Sequence, residues 1–246
     1  IPGSEILPSL QDALENAERI GYPLLIKARA GGGGRGIRIV NTRDEVEKAY
    51  HQASSEALSA FGDGGVYMEK RLAPVKHVEV QIIADQAGHV VALGERDCSV
   101  QRKNQKLVEE SPCAAVSPEL RRSMCDTAVK AAASVNYTGV GTIEFLLDQD
   151  GNFYFMEMNT RLQVEHPVTE FVTGYDLVKW QIRIAAGREL DFTQEDVNVQ
   201  GCAIECRINA DQAAKSASGV TLLHIPGGPW VRFDTFLLSL IHISEP

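Results

Sequence analysis

The chain has 246 residues, 44% of them hydrophobic, enough to bury a substantial core in one large domain or two smaller ones. A net charge of −9 leaves no uniformly basic face, which excludes a general nucleic-acid binder; any anionic ligand must be held by local positive clusters. No stretch is long and apolar enough to span a membrane, and the opening residues lack the basic-then-apolar form of a signal peptide, so a cytoplasmic setting is expected.

The first predicted element is a helix. Ser9 is followed by Asp12, apolar positions recur at Leu10, Ala13, Leu14 and Ala17, and Gly21 supplies the stop. Residues 22–27 (YPLLIK) read as a short buried strand, 31–34 as a glycine loop, and 36–40 as a returning strand. Thr42 with Glu45 is expected to cap the next helix, which runs to about Ala60, and 66–70 is a strand. Residues 77–84 and 90–98 alternate as an antiparallel pair about Gly88. A polar segment, 100–112, precedes a helix from Ser117-Pro118 to about Val135, since proline suits the first helical position. A hairpin, a helix over 175–186 and a strand over 202–209 complete the order. So much antiparallel pairing favours an α+β fold over a doubly wound sheet.

The densest chemistry lies in EMNTRLQVEHPVT, residues 157–169, with a further carboxylate at Glu144 in GTIEFLL. Between them Asp148-Gln149-Asp150-Gly151 signals a reversal. Folding about it sets Glu144 roughly opposite Glu157 on one face. Like charges so placed destabilise a sheet. The pair therefore asks for a cation, and oxygen ligands suit Mg²⁺ or Mn²⁺. By strand parity Glu157, Asn159 and Arg161 share that face, so a metal and an anion can sit side by side.

Two positive clusters stand out: Lys27, Arg29, Arg35 and Arg38 around the glycines, and Arg96, Arg102, Lys103 and Lys106 farther on. GGGGRG (31–36) matches GxGxxG literally, but the dinucleotide fingerprint needs a helix after the loop, and IRIV alternates as a strand. No Lys-Ser or Lys-Thr closes the glycines as in a P-loop. What remains is a flap whose backbone N–H groups can fold over phosphates, with Lys27 as an added charge. The five cysteines form no CxxC or zinc-like pair, which fits a reducing setting; Cys202 and Cys206 read as small buried hydrophobes. His166, before Pro167, reads as a loop-shaping residue, and Glu109 with Glu110 as a solvated charge pair.

These residues resemble the ATP-grasp domain of biotin carboxylase, the ATP-using component of acetyl-CoA carboxylase and related biotin-dependent carboxylases. The blocks that carry the resemblance are IKARAGGGGRGIRIV, MEKRL, HVEVQ, ERDCSVQRKNQKLVEE, GTIEFL, FMEMNTRLQVEHPVTE and IECRINA, and they reach across nearly all of residues 1–237. The implied fold is α+β ATP-grasp: a glycine-rich lid subdomain (1–71), a main subdomain with a mixed or antiparallel sheet (72–200), and the start of the biotin carboxylase C-terminal domain (201–237). The implied ATP contacts are Lys27, Gly31, Gly32, Gly33, Gly34, Ile37, Glu69, Lys70, Leu72, His77, Gln101 and Leu146. Glu144, Glu157 and Asn159 match the metal ligands, for two Mg²⁺ or Mn²⁺ ions. Lys106, Arg161, Gln163, Val164 and Glu165 match the bicarbonate site, with Glu165 as general base, and Arg207 matches the residue that steadies the biotin enolate. The implied partners are bicarbonate, a biotin carboxyl carrier protein and a carboxyltransferase, with a homodimer for the full-length enzyme. The same step in a propionyl-CoA, methylcrotonyl-CoA or pyruvate carboxylase, and a nucleotide-binding protein without chemistry, stand as alternatives.

Departures from the family pattern are Ala30 in place of a glycine, Asn104 where histidine is frequent, and a short ADQAAKSASGVTLLHIPGG after Asn209. LSLIHISEP, residues 238–246, reads as the translation of a transposon-end sequencing adapter. The chain is expected to be a fragment that opens inside the family pattern and turns over little biotin alone.

Overall fold

The computed structural model describes residues 1–30, 36–209 and 224–235; Gly31, Gly32, Gly33, Gly34, most of the segment after Asn209 and the adapter-like tail lie outside the described residues. The chain divides into two compact units, Ile1–Glu205 and Cys206–Pro246. The first contains two sheets with separate cores.

The smaller sheet has the order β2-β1-β3, with β1 (Leu24–Ala28) paired antiparallel to both β2 (Ile37–Val40) and β3 (Val66–Lys70). The glycine loop therefore joins two strands of one hairpin, from Lys27 opposite Ile37 to Leu24 opposite Val40. Gly36 must be glycine: its φ is +74° and a Cβ there would lie 2.7 Å from the Cβ of Ala28. Helix α1 (Leu10–Ile20) opens where Ser9 Oγ accepts the Asp12 amide and stops at Gly21. The next helix starts differently from expectation. A 3-10 turn at Arg43–Glu45 passes into α2 (Val46–Phe61), and Thr42 makes no side-chain cap. Glu45 instead bends back to accept the Asn41 amide at 2.7 Å, which closes the entry turn without the threonine. Ala13, Ala17, Leu24, Ile26, Val46, Ala53 and Met68 form this core.

The larger sheet has the order β8-β7-β4-β5-β6-β9: β4 (Val75–Ala84), β5 (Val90–Arg102), β6 (Gln105–Ser111), β7 (Gly139–Asp148), β8 (Phe153–Asn159) and β9 (Ala203–Cys206). The segment 100–112, read from sequence only as polar and given no element, carries the β5–β6 hairpin. Its turn residues, Lys103 and Asn104, hold φ of +53° and +62°, the left-handed values a tight hairpin demands. One face of the sheet packs Val78, Val80, Ile143 and Phe145 against Met124, Ala128 and Ala132 of α3 (Pro118–Ser134), whose cap Ser117 accepts the Leu120 amide. The other face is polar in its centre. It is apolar only where Leu93 and Val140 meet Leu177, Trp180 and Ile184 of α5 (Leu177–Ala185). An unexpected short helix, α4 (His166–Thr173), follows the β8 loop, with Pro167 in its first turn and Gly174 as its stop.

The expectation that Cys202 and Cys206 are buried fails: both are exposed. The strand they were placed on is shorter, and β9 lies at the sheet edge, where its outward positions Ile204 and Cys206 face solvent. Among the described residues no helix is long and apolar enough to cross a membrane.

Candidate active site

The polar face of the sheet follows from register. Glu79 on β4 stands opposite Glu144 on β7 and Arg96 on β5, and Gln81 stands opposite Thr142. These residues, with Gln163, Glu165 and Thr169, are buried. Buried charges persist only when paired and hydrogen-bonded.

Lys106, carried in by β6, meets that demand. Its ammonium donates to three carboxylates: Glu79, Glu144 Oε1 at 2.8 Å and Glu165 Oε1 at 2.6 Å. Burial works against the ammonium, but the charge of Glu79, with that of Glu165 and Glu144, outweighs it and lifts its pKa above the usual lysine value. Glu144 Oε1 also accepts Asn159 Nδ2 and Gln163 Nε2, each at 2.9 Å. Its Oε2 accepts His77 Nε2 at 2.8 Å, while His77 Nδ1 accepts Gln101 Nε2 at 2.7 Å, a pair of bonds that fixes the imidazole tautomer. Burial would raise the Glu144 carboxyl, yet the His77 hydrogen bond and the Lys106 charge hold it well below the usual carboxylate range. Glu165 shows the same balance, with burial opposed chiefly by Lys106, and its carboxyl is also depressed.

The structure thus brings His77, Gln101, Lys106, Glu144, Asn159, Gln163 and Glu165 into one hydrogen-bonded group. Arg161 reaches it through Asn159 Oδ1 at 3.3 Å, and Val164 beside it is exposed. Glu157 is the register partner of Glu144, as Asn159 is of Thr142, but its residue is exposed. Glu144, Glu157 and Asn159 offer side-chain oxygens, the kind of donor a hard divalent cation takes. Leu146 lies opposite His77, and Leu72 lies in the link that follows β3. Lys27, Glu69, Lys70 and Ile37 belong to the smaller sheet, where Lys27 pairs with Glu69 and Lys70 Nζ donates to the Tyr22 carbonyl at 2.9 Å. Arg207 lies in the second unit.

Some expectations need correcting, and one residue escapes the sequence reading. Arg96 does not form one positive cluster with Arg102 and Lys103: it is wholly buried in the sheet, whereas they sit at the β5–β6 turn. Glu109 is not solvated, because β6 parity turns it inward while Glu110 is only half-buried. Glu79 was not singled out at all. Its signal was a charged residue inside the otherwise apolar HVEVQIIA, which is costly unless a partner waits within the fold. His166 stands at the start of α4 rather than in the loop, and its Nδ1–H donates back to the Gln163 carbonyl at 2.8 Å.

The family described as carbamoyl-phosphate synthase L chain, ATP binding domain, matches residues 1–193. The chain is 56% identical to the biotin carboxylase of Nostoc sp. over 97% of its own length and 55% of that protein. It is 54% identical to biotin carboxylase 2, chloroplastic, of Populus trichocarpa over 96% of its length and 46% of that protein. The biotin carboxylase domain dimer of Hydrogenobacter thermophilus 2-oxoglutarate carboxylase, solved with MgADP, ADP and bicarbonate, is similar at a TM-score of 0.85 and 50% identity, covering 93% of this chain and 51% of that one. The chain spans about half the length of the curated relatives it matches. Its α+β architecture is the ATP-grasp fold of these neighbours. The chain belongs to the carbamoyl-phosphate synthase L chain, ATP binding domain family, as a homologue of the biotin carboxylases.

Proposed function

We propose that the protein carries out the ATP-dependent carboxylation of biotin on a carrier protein, with bicarbonate as the carbon source. The observation that carries this reading is the grouping of one ammonium, two buried carboxylates and an amide donor around Lys106, Glu144, Glu165 and Gln163. Such a group can hold a small planar anion beside a base. Arg161 adds a guanidinium whose fork suits two oxygens at once. Bicarbonate is a poor nucleophile, and Glu165 improves it by taking its proton as an oxygen attacks the γ-phosphorus and ADP departs. Carboxyphosphate then splits into CO₂ and phosphate; the phosphate takes the N1 proton of biotin, and N1 bonds to CO₂. Arg207 steadies the biotin enolate in this scheme. Lys27 and the glycine loop grip the ATP phosphates, and Glu69, Lys70, Leu72, Ile37 and Leu146 house the adenine. Glu144, Glu157 and Asn159 would hold Mg²⁺ or Mn²⁺, which neutralises phosphate charge when bound. We place the step in an acetyl-CoA carboxylase serving fatty acid synthesis in the cytoplasm, with the carrier protein and a carboxyltransferase as partners and a homodimer as the assembly.

The test is ADP release by the full-length protein. It should rise on adding bicarbonate and rise again with biotin. Arg207→Ala should keep the bicarbonate-dependent part and lose most biotin carboxylation. ADP release indifferent to bicarbonate would refute the reading.

A further inference from the structure

Arg96 is among the largest fully buried side chains of the fold, yet no step proposed above uses it. Its five N–H donors meet five acceptors. Nε donates to Glu79 Oε1 at 2.7 Å; one terminal nitrogen donates to Gln81 Oε1 at 2.7 Å and Thr169 Oγ1 at 2.9 Å; the other donates to Thr142 Oγ1 at 3.3 Å and Gln163 Oε1 at 3.2 Å. These acceptors come from β4, β7, the loop after β8, and α4. With every donor used, the guanidinium is spoken for and is not an anion receptor.

Two of the five bonds have directional consequences. A glutamine amide has one acceptor end and one donor end. Arg96 takes the oxygen of Gln163, so the Nε2 end must turn to Glu144, where it donates at 2.9 Å. Likewise Arg96 takes Oε1 of Glu79, leaving Oε2 for Lys106. The bond to Thr169 adds a mechanical element: it ties the third residue past the His166 start of α4 to the sheet, and Glu165 is that helix's N-terminal flank.

We infer that Arg96 is the positioning residue of the bicarbonate end of the site, fixing Gln163, Glu79 and the start of α4 without touching substrate. The inference rests on the function proposed above. Lysine cannot substitute, because three donors on a flexible stem cannot reproduce a planar five-donor junction.

The experiment compares wild type with Arg96→Lys in the full-length protein. The expected result is a bicarbonate KM raised on the order of tenfold to a hundredfold, with ADP affinity by calorimetry moved by less than about twofold. Arg96→Lys and Gln163→Ala should also be coupled, the double variant being no worse than the worse single one, because both break the same orientation. Parallel loss of bicarbonate and nucleotide affinity, or effects that simply multiply, would overturn the role. If Arg96→Lys does not fold, Thr169→Val removes one acceptor and leaves the ion pair. It should raise the bicarbonate KM with ADP binding intact, and no change would overturn the inference. Wild-type protein that ignored bicarbonate would sink the function first, and this role with it. An active wild type with an indifferent Arg96→Lys would sink the role alone.

Discussion

Replacing Lys106 by methionine strands three carboxylates at once. The ammonium is nearly buried, with 11% of the side chain accessible, and it donates to Glu79, Glu144 and Glu165. Removing one partner of a buried ion pair costs about 3–5 kcal/mol, chiefly because the remaining charge stays desolvated. Glu79 keeps Arg96, Glu144 keeps His77, and the charge of Arg96 still acts on Glu165. The cost should therefore fall near that range rather than at three times it. At about 2–4 °C per kcal/mol for a unit of roughly 200 residues, Lys106→Met should melt about 6–20 °C below wild type. Scanning calorimetry measures this directly. The double variant is a sharper test: Lys106→Met with Glu165→Gln removes one of the buried carboxylate charges that the lysine offset and should melt above Lys106→Met alone. A single variant within about 2 °C of wild type, or a double variant no more stable than the single, would refute the electrostatic account.

Gly141→Ala would place a Cβ 2.9 Å from the Tyr137 ring and 3.0 Å from the Asn159 carbonyl oxygen, which is backbone and cannot swing aside. A loss of about 1–3 kcal/mol by chemical denaturation is expected, together with a higher Mg²⁺ requirement as Asn159 is pushed from Glu144; unchanged stability would count against the packing argument. His89 donates to the buried Asp85 at 2.8 Å, and this hydrogen bond, with the Asp85 charge, raises its pKa above 6.5. The stabilising contribution is thus complete below pH 6.5 and fades as pH climbs through the folded-state pKa. An NMR titration of His89 should give a midpoint above 6.5 that falls back in Asp85→Asn; a wild-type midpoint at or below 6.5 refutes it.

Local chemistry made some of this structure readable in the sequence and hid the rest. Asp148-Gln149-Asp150-Gly151 does reverse the chain, and Glu144 does stand opposite Glu157, because an Asp-Gly turn between apolar runs leaves little choice of register. The strand after the glycines was legible from the alternation of IRIV. By contrast, β6 was missed because QKLVEES is polar on the very side that faces inward. Lys106 serves a buried ionic network and Glu109 is itself buried, so the usual link between polarity and exposure is inverted there. Helix α4 escaped notice because its eight residues are too few for a clear 3.6-residue period, though Pro167 and Gly174 marked both ends. Arg96 and Glu79 were obscured for a shared reason: each looks like a surface charge until the partner, seventeen residues away in sequence, is brought across the sheet.

The tight reversal at Lys103 and Asn104 has an implication for how such chains can vary. Hairpin tips ordinarily absorb insertions at little cost. Here the two cations that clamp the same acid ride on the two arms of one hairpin, with Lys106 opposite Gln101 and only a few residues from the bend. One added residue would slip the arm by a single step and turn Lys106 toward the opposite side of the sheet. A tip that looks dispensable is thereby locked in length, and evolutionary drift there must proceed by exchange of side chains alone.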